Sequence, residues 1–321
     1  MRCGHWRRMV APTRPRLSEL PAATRFWLWR CLARERPCLR PCEMRHWRAS
    51  RGWAPRARGL VDVAAVVGQR VSPQLLDDLV PDCEAAVEEA IARGVLTDDG
   101  VTFGFRHELT RQAIEQALSP PRRAALNGRV ATALVERSGA DHARIAHHAE
   151  AAGIAELASR HAVLAATEAE RVGALLEAGL QLERALRLGT DLPARTRIGL
   201  LIRYARNINF AGRQLDEARA AAHEAVVLAD ASNDRISGGR ARSVLSAALW
   251  SLDRLDEARN AAADAVSLLE GAGDVAELAR AHAARVRIEA IAFDPARAIA
   301  HGRGLLRPQR RPASTKLEST P

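Results

Sequence analysis

The pentapeptide LDEAR at residues 215–219 recurs unchanged at residues 255–259, 40 positions further along the chain. The related sequences LLEA, at residues 175–178, and PARA, at residues 295–298, extend the series at the same spacing in both directions. A separate apolar helical pattern precedes each copy, so each unit is predicted to contain two amphipathic helices. Neither helix of such a pair can bury its apolar stripe alone, and neighbouring pairs therefore stack into a solenoid.

Alanine occupies fixed positions in these units, at the fourth residue of the motif and, in three units, again seven residues later. Because alanine lets two helix axes approach closely, we expect these residues to be buried where helices pack. We expect the polar neighbours Asp216, Glu217 and Arg219 to face solvent or the concave surface. A period near 40 exceeds the roughly 34 residues of tetratricopeptide repeats, which predicts longer helices. The predicted packing residues are Ala178, Ala185, Ala218, Ala225, Ala258, Ala265 and Ala298.

Three short helices followed by a hairpin are predicted before the repeats. The apolar run at residues 60–67 predicts the first helix, Ser72 is a candidate N-cap of the second, and residues 83–93 predict the third. The sequence DDG at residues 98–100, between apolar residues, is a strong hairpin signal. This order is typical of a winged helix. The predicted fold is therefore mainly α, a winged-helix-like module followed by an α-solenoid of tetratricopeptide-like helical hairpins with a period of about 40 residues.

Positive charge is concentrated at the N-terminal end. The formal net charge is +10, yet residues 1–58 contain 15 Arg against three Glu, with five of the six Trp and four of the five Cys. The rest of the chain is close to neutral, so its high isoelectric point does not indicate a nucleic-acid-binding body. With Lys316 as the only Lys, this composition suggests that residues 26–58 come from a shifted reading frame or a misplaced start. The predicted divisions are 1–58 (atypical, disordered or out of frame), 59–120 (winged-helix-like module), 121–152 (connecting helices), 153–301 (repeats) and 302–321 (disordered tail).

No convincing metal site or membrane span is present. A cysteine-rich group with the spacing C-x6-C-x3-C-x3-H matches no common zinc finger; it comprises Cys31, Cys38, Cys42 and His46. A second group lies on or between Ala-rich helices, and packing or surface roles are expected for it because adjacent residues of a helix face different directions; it comprises His142, His147, His148 and His161. The apolar stretch at residues 26–28 is far short of the ~20 residues of a membrane span. We expect a cytoplasmic chain without metal or cofactor.

Residues 59–301 resemble the central region of large ATP-binding regulators of the LuxR family and of related signal-transduction ATPases. The resemblance rests on continuous segments, at residues 60–80, 94–136 and 143–169. It covers about three quarters of the chain, and the sequence FRHEL followed by LSPPRR is quite specific. In such regulators an ATPase core precedes the winged helix and a helix-turn-helix often follows the repeats. We therefore expect this chain to be a central fragment, truncated at both ends.

The resemblance singles out His107. The sequence Arg106-His107-Glu108 is similar to the Met-His-Asp motif of those ATPases, in which the histidine reports the phosphate state of bound nucleotide. The alternative is that His107 caps the helix after the hairpin. The chain contains no G-x-x-x-x-G-K-[ST] sequence and no Gly-Lys pair, so ATP hydrolysis is not expected.

The sequence is compatible with three functions. The first is an interaction module whose repeats bind a protein or small-molecule signal on their surface, and it is the one we favour. The second is a DNA-binding transcription factor acting through the third helix, but Glu84, Glu88 and Glu89 against Arg93 would repel phosphates. The third is an ATPase fragment that retains nucleotide contact through His107. We expect no enzyme activity, no specific DNA binding and no membrane partner.

Overall fold

The computed structural model describes residues 52–137, 139, 141–291 and 299. Within that part, the chain contains thirteen helices and three short strands and forms two compact units. The first unit ends at Ser119 and the second begins at Pro120. The fold is mainly α, and stacked helical hairpins make up the second unit.

In the first unit, four helices accompany a three-stranded antiparallel sheet. The central strand is β3, which pairs with β1 on one side and β2 on the other, and Leu96 lies opposite Phe105 in the hairpin. Both residues are buried, as are Leu60 and Leu76. The elements are α1 (Pro55–Val67), β1 (Arg70–Val71), α2 (Pro73–Leu79), α3 (Glu84–Ala92), β2 (Leu96–Asp98), β3 (Phe103–Phe105) and α4 (Glu108–Ala117).

The predicted N-cap and hairpin are confirmed. The hydroxyl of Ser72 accepts a hydrogen bond from the backbone N–H of Leu75 at 3.3 Å, which satisfies a free donor of the first turn of α2. In the β2–β3 turn, Asp99 Oδ1 accepts from the backbone N–H of Thr102 at 2.7 Å. Gly100 follows with a φ of +82°, a conformation that glycine adopts without steric cost.

The predicted start of order near residue 60 is wrong, because α1 begins at Pro55. Proline suits the first position of a helix, where its missing N–H has no intrahelical partner to lose. The irregular composition of the preceding residues concealed this start. The other residues of the 1–58 segment, up to residue 51, and the predicted tail at 302–321 lie outside the described residues.

Arg111 fixes α4 against α1. Its guanidinium bonds both carboxylate oxygens of Glu108 and also Glu115, and donates to the backbone carbonyl of Ala65 at 2.8 Å. The hydrogen bond that Arg111 donates to Glu108 raises the pKa of Arg111 above its usual value, although burial opposes the change. This cluster ties the helix that follows the hairpin to the first helix.

The second unit consists of nine helices in its described part, and each packs against the next. Helices α9, α10 and α11 contain 17 residues each, in line with the long period of the sequence. The helices are α5 (Pro120–Val135), α6 (His142–Ala151), α7 (Ala155–Arg171), α8 (Leu175–Leu188), α9 (Ala194–Phe210), α10 (Leu215–Ala231), α11 (Arg235–Ser251), α12 (Leu255–Leu269) and α13 (Val275–Ile291).

The 40-residue period corresponds to one helix pair. We call α7, α9, α11 and α13 the first helices of the pairs and α8, α10 and α12 the second helices. The second helices all begin with the repeated motif, and the same burial pattern recurs at residues 175–178, 215–218 and 255–258: one half-buried residue, two exposed residues and a buried Ala. The register read from the sequence is therefore the register of the three-dimensional repeat.

Two glycines show how closely the helices approach. A Cβ atom added at Gly239 in α11 would lie 2.4 Å from Cγ of Leu269, and one added at Gly179 in α8 would lie 2.6 Å from Cγ2 of Ile208. Both partner side chains are buried. The space at these two contacts therefore accommodates no side chain.

Candidate interaction surface

The first helices line one side of the array, which we call the inner face. They pack directly against one another, α9 on α11 and α11 on α13, in addition to their contacts with the second helices. Hydrogen bonds from Arg203 of α9 to Thr167 and Glu170 join α7 to the same side. Among the described residues, no comparable packing joins successive second helices. The first helices therefore lie closer to one another than the second helices do.

Charge is divided between the two kinds of helix. Helices α9 and α11 together contain seven Arg and no Asp or Glu, whereas α10 and α12 contain seven acidic residues and two Arg. Some of these groups pair across a hairpin, as Arg242 does with Asp230 at 2.8 Å. The inner face is consequently basic, and the outer face, formed by the second helices, is acidic.

One half-buried carboxylate anchors arginines between α7 and α9. Glu170 accepts hydrogen bonds from Arg203 at 2.9 Å and from the side-chain amide of Asn207 at 2.6 Å, and Arg206 approaches it at 3.5 Å. Burial alone would raise the pKa of Glu170, but the hydrogen bonds from Arg203 and Asn207 outweigh burial and hold the pKa below its ordinary value. Two guanidinium groups share this one carboxylate, so the cluster carries a surplus positive charge.

A second cluster of the same composition lies between α11 and α13. Glu277 is 6% exposed and forms ion pairs with both Arg240 and Arg280. The hydrogen bond to Glu277 raises the pKa of Arg240 above its usual value. The side chain of Arg280 remains two-thirds exposed. Here too, one carboxylate is shared by two arginines, and Asp274 and Asp234 add negative charge near Arg240.

Two large aromatic side chains are exposed where first helices end. Phe210, the last residue of α9, is 65% exposed, and Trp250, in the last turn of α11, is 40% exposed. Successive first helices run in the same direction, so both aromatics lie along one edge of the array. Arg206 precedes Phe210 by four residues and therefore shares its face of α9. We call Arg206, Phe210, Arg240, Trp250 and Arg280 the arginine–aromatic surface.

The alanines predicted from the repeat are found inside the array. The six that lie among the described residues are fully buried, and the backbone carbonyls of two accept buried hydrogen bonds: Ser246 donates to Ala258 at 2.7 Å and Ser159 to Ala185 at 3.0 Å. The six are Ala178, Ala185, Ala218, Ala225, Ala258 and Ala265. Ala298 lies outside the described residues.

Two of the three polar residues of the motif face solvent, as expected. Asp216 and Glu217 are exposed on α10, a second helix. Arg219 is only half-exposed, and its Nε is buried without a hydrogen-bond partner. The sequence shows the repeated motif most clearly, but that motif belongs to the helix farther from the inner face.

His107 stands at the N-cap position of α4 and is exposed. Its side chain makes no capping hydrogen bond, so the capping role considered for it is not observed. The neighbouring Glu108 is engaged with Arg111, which leaves His107 as an exposed imidazole beside the hairpin. Its suggested role toward nucleotide stays a prediction.

The histidines for which packing or surface roles were predicted divide between buried and exposed positions. His148 and His161 are buried, while the adjacent His147 is exposed. Nδ1 of His148 lies 2.9 Å from Oδ1 of Asn127, an arrangement in which the ring donates to the amide oxygen. Burial lowers the pKa of His148 to about 4, so this histidine is neutral near neutral pH.

Metal-binding and membrane-spanning features are not found in the part of the chain that the structure describes. Among those residues, no three His, Cys, Asp or Glu side chains are grouped to hold a metal ion. None of the helices described there is long and apolar enough to cross a bilayer. Cys31, Cys38, Cys42 and His46, the zinc candidates of the sequence, lie outside the described residues.

No protein-family model matches the chain. A segment of 145 residues, 41% of the chain, is 34% identical to an uncharacterized protein of Rhizobium meliloti (strain 1021), and it spans only 14% of that protein. The stacked helix pairs of the described residues form a helical-repeat scaffold.

Two solved structures resemble the chain at low similarity. One is a Signal Transduction ATPase with Numerous Domains (STAND) protein with a tetratricopeptide repeat sensor from Pyrococcus horikoshii; the TM-score is 0.40 at 12% identity, with 85% of this chain and 47% of that chain covered. The other is BtubC (BKLC) from P. vanneervenii, with a TM-score of 0.39 at 12% identity, 84% of this chain and all of that chain covered.

The arginine–aromatic surface was not predicted from the sequence. Its signal is present in the composition, because α9 and α11 lack acidic residues altogether. Recognising it requires knowledge that these two helices are neighbours on one face. The residues that the repeat motif singles out are buried alanines and acidic residues of the second helices, and none of them belongs to this surface.

Proposed function

We propose that this chain is the central recognition module of a bacterial signalling regulator of the LuxR or signal-transduction ATPase type. Its helical repeats bind a protein or small-molecule signal on the inner face. The first unit acts as a winged-helix-like, protein-facing connector between the repeats and the rest of the regulator. The chain itself is cytoplasmic and has no enzyme activity.

One observation carries this proposal. Phe210 and Trp250 remain 65% and 40% exposed near the ends of two first helices, and Arg206 lies one turn before Phe210 on α9. Exposed aromatic side chains beside charged groups are typical of interaction sites, since most large apolar side chains are buried in folded proteins. The resemblance of residues 59–301 to the central part of such regulators supports the same function.

The alternative functions find less support. Helix α3, which would read DNA in a winged helix, exposes carboxylates: Glu84 and Glu88 are exposed, and Glu89 pairs with Arg93 at 2.9 Å. Carboxylates facing phosphates weaken DNA binding. A nucleotide role would depend on His107, and the chain has no Gly-Lys sequence to hold a phosphate.

Site-specific photocrosslinking tests the proposal. Gly199 lies on the inner stripe of α9 with Arg203 and Arg206, and a Cβ added there would meet nothing within 4 Å. Asn260 is exposed on α12, a second helix, and serves as the matched control. With a photoreactive residue at either position of the full chain in the organism that encodes it, we expect discrete adducts from position 199 and few from position 260. Equal or absent adducts at both positions would contradict recognition on the inner face.

A further inference from the structure

The arginine–aromatic surface has a defined spacing. Arg206 and Phe210 lie one turn apart near the end of α9, and Trp250 stands at the same edge on α11. Arg240, in the second turn of α11, precedes Trp250 by ten residues, which corresponds to about 15 Å along the helix. Arg206, Phe210 and Trp250 thus lie near the C-terminal ends of two first helices. Arg240 lies near the N-terminal end of α11.

The charge of this surface can pair with a small number of negative groups. In each cluster two arginines share one carboxylate, and one of the two guanidinium groups is more exposed than the other. Arg206 is the weaker partner of Glu170 and is about half exposed, and Arg280 is the more exposed partner of Glu277. Arginine donates bidentate hydrogen bonds to carboxylates, so these two groups can bind acidic side chains of a partner.

We propose that the arginine–aromatic surface binds an acidic protein segment that carries apolar side chains at one end. The apolar side chains pack against Phe210 and Trp250, and carboxylates of the segment pair with Arg206, Arg240 and Arg280. This inference rests on the proposed function, because it names the class of partner for the same face.

A nucleic acid fits this surface less well. Binding of single strands relies on a continuous basic groove with many phosphate contacts, supported by stacked bases. Three of the seven arginines of α9 and α11 are already paired: Arg197 with Glu224 at 2.7 Å, Arg203 with Glu170 at 2.9 Å and Arg242 with Asp230 at 2.8 Å. The exposed Arg206 and Arg280 match a short acidic segment better than a polyanion, because a polyanion gains its affinity from many phosphate contacts.

The test uses the full chain and a fluorescein-labelled peptide of about 12 residues, long enough to span the surface when extended. Half of its residues are Asp or Glu, and a Phe-Leu pair lies near one end. Fluorescence anisotropy at moderate salt measures binding. Comparison probes are the peptide with Ala in place of Phe and Leu, the peptide with Lys in place of its acidic residues, and a single-stranded oligonucleotide.

Two pairs of variants assign the binding to the inner face. The double reversal Arg206→Glu with Arg280→Glu should weaken peptide binding about tenfold or more. The control, Arg187→Glu, reverses a charge on the second helix α8, where Arg184 still pairs with Glu150. Every variant keeps the basic residues 1–58, so any binding by that segment is common to all of them.

Removal of the aromatic side chains provides the second pair. Phe210→Ala with Trp250→Ala should weaken binding about tenfold, because buried aromatic anchors dominate interfaces. Val227→Ala removes an equally exposed apolar side chain from the second helix α10 and should leave binding unchanged. All the replaced residues are at least partly exposed, and thermal unfolding of each variant verifies that the fold persists.

The outcomes separate the possibilities. Peptide binding that needs both the acidic and the apolar residues and is lost in the inner-face variants supports the proposal. Equal binding by inner-face and control variants would overturn it, as would tighter binding of the oligonucleotide that the double reversal abolishes. If photocrosslinks form at position 199 but the peptide does not bind, the chemistry assigned to the partner is wrong while recognition on the inner face stands.

Discussion

The substitution Gly239→Ala tests how tightly the helix pairs are packed. In an ordinary helix interior this change is favourable by roughly 0.5–1 kcal/mol, because alanine loses less backbone entropy on folding than glycine. At residue 239 the new methyl group would lie 2.4 Å from Cγ and 2.7 Å from Cδ1 of Leu269. These distances are well inside van der Waals contact, and Leu269 is only 1% exposed.

The magnitude follows from the two opposing effects. Overpacking of a filled core costs typically about 1–3 kcal/mol, and Leu269 cannot turn toward solvent to relieve the contact. Subtracting the helical gain of alanine leaves a net destabilisation of roughly 0–2.5 kcal/mol. The matched control is Gly199→Ala in α9, which meets no atom within 4 Å and should stabilise the chain by roughly 0.5–1 kcal/mol.

Chemical denaturation of the full chain, followed by circular dichroism, measures both changes. Hydrogen exchange locates them, because stacked repeats couple mainly to their neighbours and Gly239→Ala should therefore loosen α11 and α12 first. If Gly239→Ala stabilised the chain as much as Gly199→Ala does, the close contact between α11 and α12 would be refuted.

Three further predictions concern the repeat, the histidine and the nucleotide. Ala258→Leu should destabilise by about 1–3 kcal/mol through overpacking, whereas Asn260→Leu, exposed on the same helix, should change stability by no more than roughly 0.5 kcal/mol; equal urea midpoints for the two variants would contradict the register. The pKa of His148 in the folded chain is lowered to about 4, whereas in the unfolded chain it is about 6.5. Between these values only the unfolded chain binds a proton at this residue, so the free energy of unfolding decreases as pH drops below about 6.5. His148→Gln should remove about 2 kcal/mol of the stability lost between about pH 7 and pH 5, and denaturation curves with an unchanged pH dependence would refute this assignment. Equilibrium dialysis with labelled ATP should show no binding, since the chain has no Gly-Lys sequence; micromolar binding abolished by His107→Ala would favour the nucleotide-sensing alternative.

The repeat could be predicted because its evidence is local. The motif at 215–219 and 255–259 places Ala218 and Ala258 at equal spacing, and a helix of period 3.6 fixes which of its faces they occupy. The same reasoning located Ser72 as an N-cap, since capping depends on neighbours in sequence. It did not locate the start of α1 at Pro55, because the residues before it have no regular apolar pattern.

The arginine–aromatic surface could not be predicted because its evidence is not local. Glu170 and Arg203 lie on different helices, and so do Arg240 of α11 and Glu277 of α13, which form an ion pair. The sequence reveals that each helix has an apolar stripe, but the polar side that becomes the inner face depends on which helices are neighbours. Phe210 in particular appears in sequence as one more apolar residue, and only the packing of α9 shows that it is exposed.

The most direct test of recognition on the inner face is hydrogen exchange of the full chain with and without the protein captured by crosslinking. We expect slower exchange on binding along α9, α11 and α13, the helices that line this face, with little change in α3. Protection confined to residues 55–117, with α9 and α11 exchanging as in the free chain, would contradict the proposal and assign recognition to the first unit.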